Sequence, residues 1–556
     1  MTLPPLDRRT FLRRSAYAGL IVGAGPLATQ SFGAAPATTV LADGAVFAKV
    51  RPRTLKQAQA LMAFDDTHKA FADGSMELLL WPGDRTRLDR IGVDYQVIAS
   101  QPTGPAPGRT SGLPLQPGER ATGYRRLGDY YADMQMLATK YPKRARMVKL
   151  AEPSLEGRDM FAIEIADDPV KAATDGRPTF FVDGVHHARE WPSSEYSIMF
   201  AFDLLESYGT QDRITKLLKK IRVVVVPVVN PDGFNHSREG LTAPVANAAT
   251  ETALGVPGLD AYWRKNKRSF TGALYAAGEV NGYLNADAHG TDPNRNYPFY
   301  WGGEGGGADP TSQTYGGAAP YAEPEARNIS GYMKAHQTTA YLTNHTSGQL
   351  CMRPWGYTSD DSPDGEFQEA LGEKMCDHHG YKNQIGLSLY PTAGTSRDWS
   401  YGALRTIVYT FEHNQEFHPD YASEIPKTYA LNRPAWLILA EAAADPRNHG
   451  VITGRVNGAP KGATVTLTRS FKTPTAVEVD AGTDGGVAES IKTVTTVRSD
   501  GTFTVHANPS TRPTTIQDGR GKEFWTVTVT APGRKKVVKK VFLDRGTKVD
   551  LGRLSI

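Results

Sequence analysis

The sequence predicts an α/β fold in which a central sheet is covered by helices on both faces. Apolar runs rich in β-branched residues have the length of buried strands at 179–183, 221–229, 340–343 and 407–411. These runs are continuously apolar, as strands are when both faces of their sheet are buried. Helical periodicity separates and follows them at 129–140, 193–207 and 434–443. A small α/β unit before this region and a β-sandwich after it complete the predicted architecture.

Composition supports a large folded protein and excludes several classes. The chain has 556 residues, of which 40% are hydrophobic, enough for a full core. Its net charge of +4, from 63 basic and 59 acidic residues, is too small for the basic face of a nucleic-acid-binding protein. The two cysteines, Cys351 and Cys376, permit one disulfide at most and exclude a four-cysteine zinc site.

Residues 1–35 have the order of a removable export signal. Four arginines (Arg8, Arg9, Arg13 and Arg14) precede an apolar run at 16–28 and then small residues. The run is too short for a transmembrane helix. The stretch Arg8-Arg9-Thr10-Phe11-Leu12 resembles the twin-arginine signal of bacterial exported proteins; an ordinary secretory signal and an uncleaved N-terminal anchor are the alternatives. We expect a periplasmic or extracellular protein, where a Cys351–Cys376 bridge is permitted but not required.

The unit at 45–100 reads as an α/β domain near the lower size limit for independent folding. Its predicted strands are 46–50, 77–81 and 95–99, and its predicted helices are 55–64 and 84–91. Residues 101–121 are rich in proline and glycine, which predicts a linker. We expect the main α/β domain at 122–446.

Short alternating strands follow Asn448, which predicts a β-sandwich at 447–556. The predicted strands are 450–456, 463–467, 503–506, 525–529 and 536–542. Residues 451–556 carry 17 basic and 9 acidic residues, and four of the lysines cluster at Lys535, Lys536, Lys539 and Lys540.

Three residues form a candidate zinc site. His187 and Glu190 lie three apart, directly after the strand 179–183. His345 follows the strand 340–343, at the strand end where α/β sheets gather functional groups. Imidazole and carboxylate are zinc ligands, and two histidines with one glutamate leave a fourth position open for water, as in catalytic zinc sites.

Further motifs occur in order around these residues: Trp263-Arg264-Lys265-Asn266, Asp292-Pro293-Asn294-Arg295-Asn296-Tyr297, Tyr390 with Asp398-Trp399, and Tyr409-Thr410-Phe411-Glu412. With them, the sequence resembles the zinc metallocarboxypeptidases of the carboxypeptidase A type over about 124–444. The resemblance implies a mixed-sheet α/β/α catalytic domain with one zinc ion. It also implies hydrolysis of the C-terminal bond of peptides or proteins.

The resemblance also implies roles for the metal and its surroundings. His187, Glu190 and His345 correspond to the zinc ligands, and Asp292 corresponds to the group that orients a ligand imidazole. Glu412 corresponds to the general base that acts on zinc-activated water.

The remaining motif residues correspond to groups that contact substrate. Arg264 matches the cation that stabilises the oxyanion. Asn294 and Arg295 match the clamp for the terminal carboxylate, which suits a planar guanidinium. Tyr390 matches a tyrosine that closes over that end, and Arg189 matches an additional subsite cation.

Arg397 aligns with the base of the side-chain pocket, which implies a preference for a terminal Glu or Asp. The alternative is that Arg397 pairs with Asp398 or turns away, while Thr395 and Ser396 line a neutral pocket.

The flanking units allow more than one interpretation. Residues 45–100 resemble a pro-segment that either inhibits the enzyme or assists its folding. The alternative is a permanently attached accessory domain. The C-terminal sandwich resembles the transthyretin-like or regulatory-like domains appended to some carboxypeptidases, which would brace the enzyme or bind a cell-envelope polymer. For the whole chain, the alternatives to a secreted carboxypeptidase are a murein-peptide (γ-D-glutamyl) hydrolase of the same fold and a non-catalytic polymer-binding protein.

Overall fold

The computed structural model describes residues 46–99, 123–239, 263–268 and 290–556, apart from 62, 63, 72, 74, 81–83, 311 and 484. The predicted export signal at 1–35 and the predicted linker at 101–121 lie outside the described residues. Within the described ranges, no helix has both the length and the apolar character needed to cross a membrane.

The N-terminal unit is a four-stranded sheet with two helices. Its elements are β1 (Val46–Arg51), α1 (Leu55–Leu61), β2 (Asp65–Ala70), β3 (Met76–Leu80), α2 (Asp84–Ile91) and β4 (Asp94–Ala99). The strand order is β2-β3-β1-β4 with antiparallel neighbours. The prediction missed β2, and its helix at 55–64 corresponds to α1 at Leu55–Leu61. The sequence of β2, Asp-Asp-Thr-His-Lys-Ala, lacks the apolar alternation that identifies a strand.

The central sheet has eight strands in the order β11-β10-β12-β9-β7-β8-β6-β5. These strands are β5 (Ala145–Lys149), β6 (Phe161–Ile165), β7 (Thr179–Gly184), β8 (Arg222–Val226), β9 (Thr338–Thr346), β10 (Leu350–Arg353), β11 (Lys382–Ile385) and β12 (Ile407–His413). The four predicted apolar runs form the centre, where β12, β9, β7 and β8 are parallel neighbours. Strands β10 and β6 flank this centre in antiparallel orientation, so the sheet is mixed.

Helices cover both faces of the sheet, which confirms the predicted fold class. They are α3 (Leu127–Lys140), α4 (Pro169–Ala172), α5 (Trp191–Ser207), α6 (Asp212–Leu218), α7 (Pro231–Glu239), α8 (Pro324–Ala335), α9 (Gly365–Cys376), α10 (Ser396–Leu404) and α11 (Tyr421–Ala444). Successive residues of β7 enter different cores: Phe180 packs in one core with α5 and α11, whereas Phe181 packs in the other with α8 and α10.

Helix α11 corrects one prediction. The sequence predicted a helix beginning at Pro434, but the helix begins at Tyr421 and contains both Pro426 and Pro434. The side chain of Asp420 accepts a hydrogen bond from the Ser423 amide and so caps the true N-terminus. Tertiary packing of the buried residues from Ile425 onward outweighs the cost of the prolines.

The C-terminal region is a seven-stranded β-sandwich. Its elements are β13 (Gly450–Val456), β14 (Thr464–Thr473), α12 (Ala476–Ala481), β15 (Val487–Thr496), β16 (Thr502–Ala507), α13 (Pro513–Gln517), β17 (Trp525–Thr530), β18 (Val537–Val541) and β19 (Lys548–Leu554). One sheet has the order β16-β13-β19 and the other β15-β14-β17-β18. The prediction missed β15 and β19, in which charged residues interrupt the apolar positions.

The sandwich packs directly on the α/β unit. A single hydrophobic core includes Phe181 and Trp399 from the α/β unit together with Val465 and Trp525 from the sandwich. Backbone bonds join the two units, from the Thr496 amide to the Thr174 carbonyl (2.7 Å) and from the His506 amide to the Gly176 carbonyl (2.8 Å). At Gly176, with φ +81°, a Cβ atom would lie 2.1 Å from the Thr504 carbonyl oxygen, so only glycine fits there.

Candidate active site

The central parallel strands place the site at one edge of the sheet. His187 follows β7, and His345 and Glu412 lie near the carboxyl ends of β9 and β12, which are parallel neighbours with His345 opposite Glu412. Since parallel strands end at the same edge, the three side chains converge although they are far apart in sequence.

His187, Glu190 and His345 come together as the sequence predicted. The Nδ1 atom of His187 lies 2.7 Å from Oε1 of Glu190, and the Nδ1 atom of His345 lies 2.8 Å from its Oε2. All three residues are buried, and their ligand atoms lie within 4.8 Å of one another. Burial opposes ionisation of Glu190, but the two imidazoles outweigh it and hold the pKa of Glu190 well below its usual value.

The donor set fits zinc. Nε2 of His187 lies 3.1 Å from Oδ1 of Asp292. A neutral His187 that donates to Asp292 from Nε2 leaves a lone pair on Nδ1, facing a carboxylate oxygen of Glu190. A cation between these two acceptors satisfies both, and two imidazole nitrogens with one carboxylate are a zinc donor set.

Asp292 also pairs with the guanidinium of Arg264 beside the triad. Its Oδ2 atom accepts from Nη2 of Arg264 at 2.9 Å, and its carboxylate caps the turn at 293–295 by accepting from the Asn294 amide. Burial opposes ionisation, but Arg264, His187 and Arg295 hold the pKa of Asp292 well below its usual value. Asp292 therefore positions a ligand imidazole and a guanidinium at the same time.

Glu412 is buried next to the triad. Its Oε2 atom has no hydrogen-bond partner within the part of the chain that the structure describes. Burial, reinforced by the charge of Glu190, raises the pKa of Glu412 well above its usual value, and three arginines, Arg264, Arg397 and Arg295, oppose this rise. A buried carboxyl group with a raised pKa is suited to accept and release a proton.

Asn294 lies beside His345, and Nη1 of Arg295 lies 3.9 Å from Oδ2 of Asp292. The side-chain amide of Asn294 donates toward Nε2 of His345 at 3.3 Å and accepts from the Ser396 amide at 2.9 Å. The guanidinium of Arg295 donates to the carbonyl oxygens of Gly305 (2.9 Å) and Asn294 (3.0 Å). Both side chains are thus fixed by backbone contacts within reach of the triad.

Arg397 pairs with its neighbour in the structure. Its Nε atom donates to Oδ1 of Asp398 at 2.9 Å, and its Nη2 atom donates to Thr392 at 3.2 Å. Glycines make room for the guanidinium, because a Cβ atom at Gly386 or Gly356 would lie 2.1 Å or 2.2 Å from it. The pairing with Asp398 that the sequence left as an alternative is therefore present.

Arg189 and Tyr390 occupy different surroundings. Arg189 is fully buried, and its guanidinium carbon lies 4.2 Å from the centroid of the Phe417 ring. Its carbonyl oxygen accepts from Nε2 of His418 at 2.8 Å. Tyr390 is partly exposed, in the segment between β11 and α10.

His186 is not among the site residues predicted from the sequence, but it lies next to the triad. Its ring stacks on that of His345, with centroids 5.6 Å apart and planes 14° from parallel. Its Nε2 atom lies 3.0 Å from the hydroxyl of Tyr297. No signal in the sequence pointed to this stacking.

Comparisons with known proteins agree with this geometry. A family model described as zinc carboxypeptidase matches residues 130–435, more than half of the chain. The chain belongs to the zinc carboxypeptidase family. Carboxypeptidase B of Astacus astacus is 32% identical over 290 residues, which cover 50% of this chain and 82% of that protein. Carboxypeptidase A4 of Mus musculus is 26% identical over 334 residues, covering 59% of this chain and 71% of that protein.

Solved structures share the fold. Carboxypeptidase A from Helicoverpa armigera aligns with a TM-score of 0.57 and 20% identity over 73% of this chain and 98% of that chain. Thrombin activatable fibrinolysis inhibitor aligns with a TM-score of 0.55 and 20% identity over 72% of this chain and 98% of that chain. The protein is thus a zinc-dependent metallocarboxypeptidase, a hydrolase that acts on peptide C-termini.

Proposed function

We propose that this metallocarboxypeptidase is exported and removes the C-terminal residue of peptides or proteins, with Glu412 as the general base. The observation that carries the proposal is the position of Glu412, buried opposite His345 with one oxygen lacking a partner among the described residues. A carboxyl group held in this way has little other structural purpose.

His187, Glu190 and His345 would hold one zinc ion. When bound, zinc polarises a carbonyl and lowers the pKa of a coordinated water molecule. Asp292 keeps the His187 ring oriented through Nε2, which leaves Nδ1 directed toward Glu190.

Glu412 takes the proton of the attacking water and returns it to the nitrogen of the leaving residue. Arg264, Arg397 and Arg295 favour the ionised form of Glu412 that takes the proton, whereas burial, which raises its pKa, helps it keep the proton until it passes to the amine. The water-excluded surroundings keep the proton on this path.

The arginines orient the substrate and stabilise its developing charge. Arg264, fixed by Asp292, faces the oxyanion that forms on the scissile carbonyl. Arg295 and Asn294 bind the terminal carboxylate, which restricts cleavage to the last peptide bond. Tyr390 closes over that end of the substrate, and we assign Arg189 to an outer subsite.

The side-chain pocket lies at the start of α10, where Arg397 is already compensated by Asp398. This pairing favours uncharged terminal side chains over the acidic ones that an unpaired arginine would select. Comparing kcat/KM for peptides ending in Glu, Phe and Lys tests this assignment, and Glu ahead of Phe would restore the acidic preference.

The test of the function combines zinc quantification with a C-terminal ladder assay of wild type and Glu412→Gln. We expect equal zinc content in both proteins. Stepwise residue release should fall by about 10³-fold or more in the variant, because the general base is lost. Zinc binding without release from any peptide by the wild type would favour a binding protein. Release only from γ-D-glutamyl peptides would favour a murein hydrolase.

We also propose that residues 1–35 direct export. Replacing Arg8 and Arg9 with lysine distinguishes the twin-arginine route from ordinary secretion, because the twin-arginine route depends on the arginine pair. Unchanged export of this variant would contradict the twin-arginine assignment.

For the unit at 45–100 we propose an inhibitory or folding role. The rates of full-length protein and of protein cleaved within 101–121 distinguish these two roles. Equal rates would exclude inhibition.

The lysine cluster is proposed to contact an anionic envelope polymer. Lys535, Lys536, Lys539 and Lys540 are exposed on or beside the edge strand β18. Soluble polyphosphate should bind wild type in a salt-dependent way and bind K539E/K540E more weakly, with K461E/K548E as the control of equal charge. Equal binding by both variants would leave the lysines with the role of preventing edge-to-edge aggregation.

A further inference from the structure

We propose that Glu489 of the β-sandwich is a positioning residue for the substrate pocket of the catalytic domain. This inference rests on the proposed function, because it assigns to Glu489 the alignment of Asn294 and of helix α10. The sandwich then helps to position the residues that bind the substrate.

The carboxylate of Glu489 is buried and fully engaged. Its side chain is 1% exposed, although it lies on β15 of a domain outside the matched family region. Oε1 accepts from the Tyr321 hydroxyl at 2.7 Å and from Nζ of Lys334 at 3.1 Å. Oε2 accepts from Nε1 of Trp399 at 3.1 Å and from the hydroxyl of Thr473.

Three of these four donors belong to the catalytic domain, and they come from two segments. Tyr321 and Lys334 lie just before and within α8, whereas Trp399 lies in α10. One carboxylate from the sandwich therefore joins two elements that are far apart in sequence. A buried charged group with this many donors tolerates little displacement of any of them.

A first path leads from Glu489 to the substrate clamp. Trp399 lies three residues after Ser396, the first residue of α10. The Ser396 amide donates to Asn294, whose side-chain amide donates toward His345. Because Ser396 and Trp399 lie within one turn of the same helix, holding Trp399 also holds the amide that fixes Asn294.

A second path reaches the same histidine through aromatic rings. The Trp399 ring packs on the Tyr297 ring with centroids 5.5 Å apart. The Tyr297 hydroxyl lies 3.0 Å from Nε2 of His186, whose ring stacks on His345. Both chains of contacts start at Trp399, and together they connect Glu489 to His345, beside which the terminal carboxylate would bind.

The test compares Glu489→Gln with Thr493→Val. The side-chain amide introduced by Glu489→Gln would face the ammonium of Lys334 and offer one acceptor fewer, so α10 should shift while both domains keep their cores. Thr493 is a matched control on the same strand, since its hydroxyl accepts from Gln337 of the catalytic domain at 3.0 Å, a bond that involves no residue of α8 or α10.

For E489Q we expect KM for an N-acylated dipeptide to rise about three- to tenfold with kcat changed less than about twofold and zinc content unchanged. For T493V we expect KM to stay at the wild-type value. A lower melting temperature in E489Q with an unchanged KM would overturn the proposal, because a merely structural contact would behave in that way.

A milder variant covers the case in which E489Q fails to fold. Tyr321→Phe removes one hydroxyl donor from Glu489 and leaves the ring in place, and KM should rise about twofold. An unchanged KM in Y321F would then overturn the proposal.

Dipeptide affinity, measured by calorimetry in a Glu412→Gln background, gives the same comparison without turnover. If the wild type releases no residue, the proposed function fails, while the affinities of Glu412→Gln with and without E489Q still decide the role of Glu489. Equal affinities would overturn that role.

Discussion

The two units that flank the catalytic domain differ in how their hydrophobic residues are buried. The sandwich shares one continuous core with the catalytic domain, in which Trp399 and Val465 belong to the same cluster. In the N-terminal unit, Val50, Leu78 and Leu88 form a cluster made up of residues from that unit alone. The sandwich is therefore part of one cooperative structure with the enzyme, whereas the N-terminal unit has the core of a separable module.

Truncation provides the largest test of this difference. A chain that ends at residue 447 should be insoluble or lack a cooperative thermal transition, because it exposes the shared apolar core to water. A chain that starts at residue 123 should remain soluble and melt cooperatively. Expression, sedimentation and circular dichroism melts of both chains check this. A soluble, active chain ending at 447 would contradict the shared core.

A buried ion cluster at the sandwich contact provides the next test. Asp364 of the catalytic domain binds Arg545 of the sandwich at 2.8 Å and also Arg405. Burial opposes ionisation, but these arginines hold the pKa of Asp364 well below its usual value. Asp364→Asn should lower the free energy of unfolding by about 3 kcal/mol, because the partly buried Arg545 loses its paired carboxylate and the buried Arg405 retains only Asp544.

The matched control for Asp364 is Asp445→Asn. Asp445 pairs with Arg447, whose side chain is 87% exposed, so its loss should cost less than about 1 kcal/mol. Urea unfolding at neutral pH measures both variants. Equal effects of the two substitutions would show that the cluster does not tie the sandwich to the enzyme.

In the N-terminal unit, a core truncation should act locally. Leu78 is fully buried in its separate cluster, so Leu78→Ala should cost about 2–4 kcal/mol there. Scanning calorimetry should show a lower first transition, with the catalytic transition and the kcat of protein cleaved at 101–121 unchanged. A shift of both transitions would mean that the two cores unfold together.

A histidine pair at the sandwich boundary predicts a smaller, pH-dependent effect on the free energy of unfolding. Nε2 of His449 lies 2.7 Å from Nδ1 of His506. Burial, with the charges of His506 and Arg545, lowers the pKa of His449 to about 3, although Asp445 opposes this. Burial lowers the pKa of His506 to about 4, although Asp175 opposes this.

Below pH of about 6.5 the unfolded chain binds these protons and the folded chain does not. Above about pH 6.5 the two histidines therefore do not reduce the free energy of unfolding. As the pH falls toward about 4, the free energy of unfolding decreases by at most about 1.4 kcal/mol per pH unit for each histidine. His506→Gln should flatten this dependence, whereas the exposed His378→Gln should not. Identical pH profiles of stability for His506→Gln and wild type would contradict the assignment.

The sequence predicted the centre of the molecule better than its edges. Strands β7, β8, β9 and β12 were recognisable because burial on both faces demands continuous apolar residues. Strand β2 was missed because an edge strand with Asp, His and Lys lacks such a pattern. The zinc triad was found from local spacing and strand ends, since both reflect short-range geometry.

Long-range side-chain contacts could not be predicted from the sequence. The pairing of Arg397 with Asp398 depends on the space left by Gly356 and Gly386, which lie in other segments. The contacts of Glu489 join β15 to α8 and α10, and nothing at position 489 distinguishes it from a solvent-exposed strand residue. Such contacts arise only when distant elements pack together.

The shared core also sets an order of events during synthesis. Strand β17, with the fully buried Trp525, is needed to complete the core that contains Trp399. At about 5–20 residues per second, the ribosome takes several seconds to add the sandwich after the catalytic segment has emerged. Until then the apolar surface around α8 and α10 is exposed, so the interval after synthesis of residue 446 is when a chaperone would have its greatest opportunity to bind this chain.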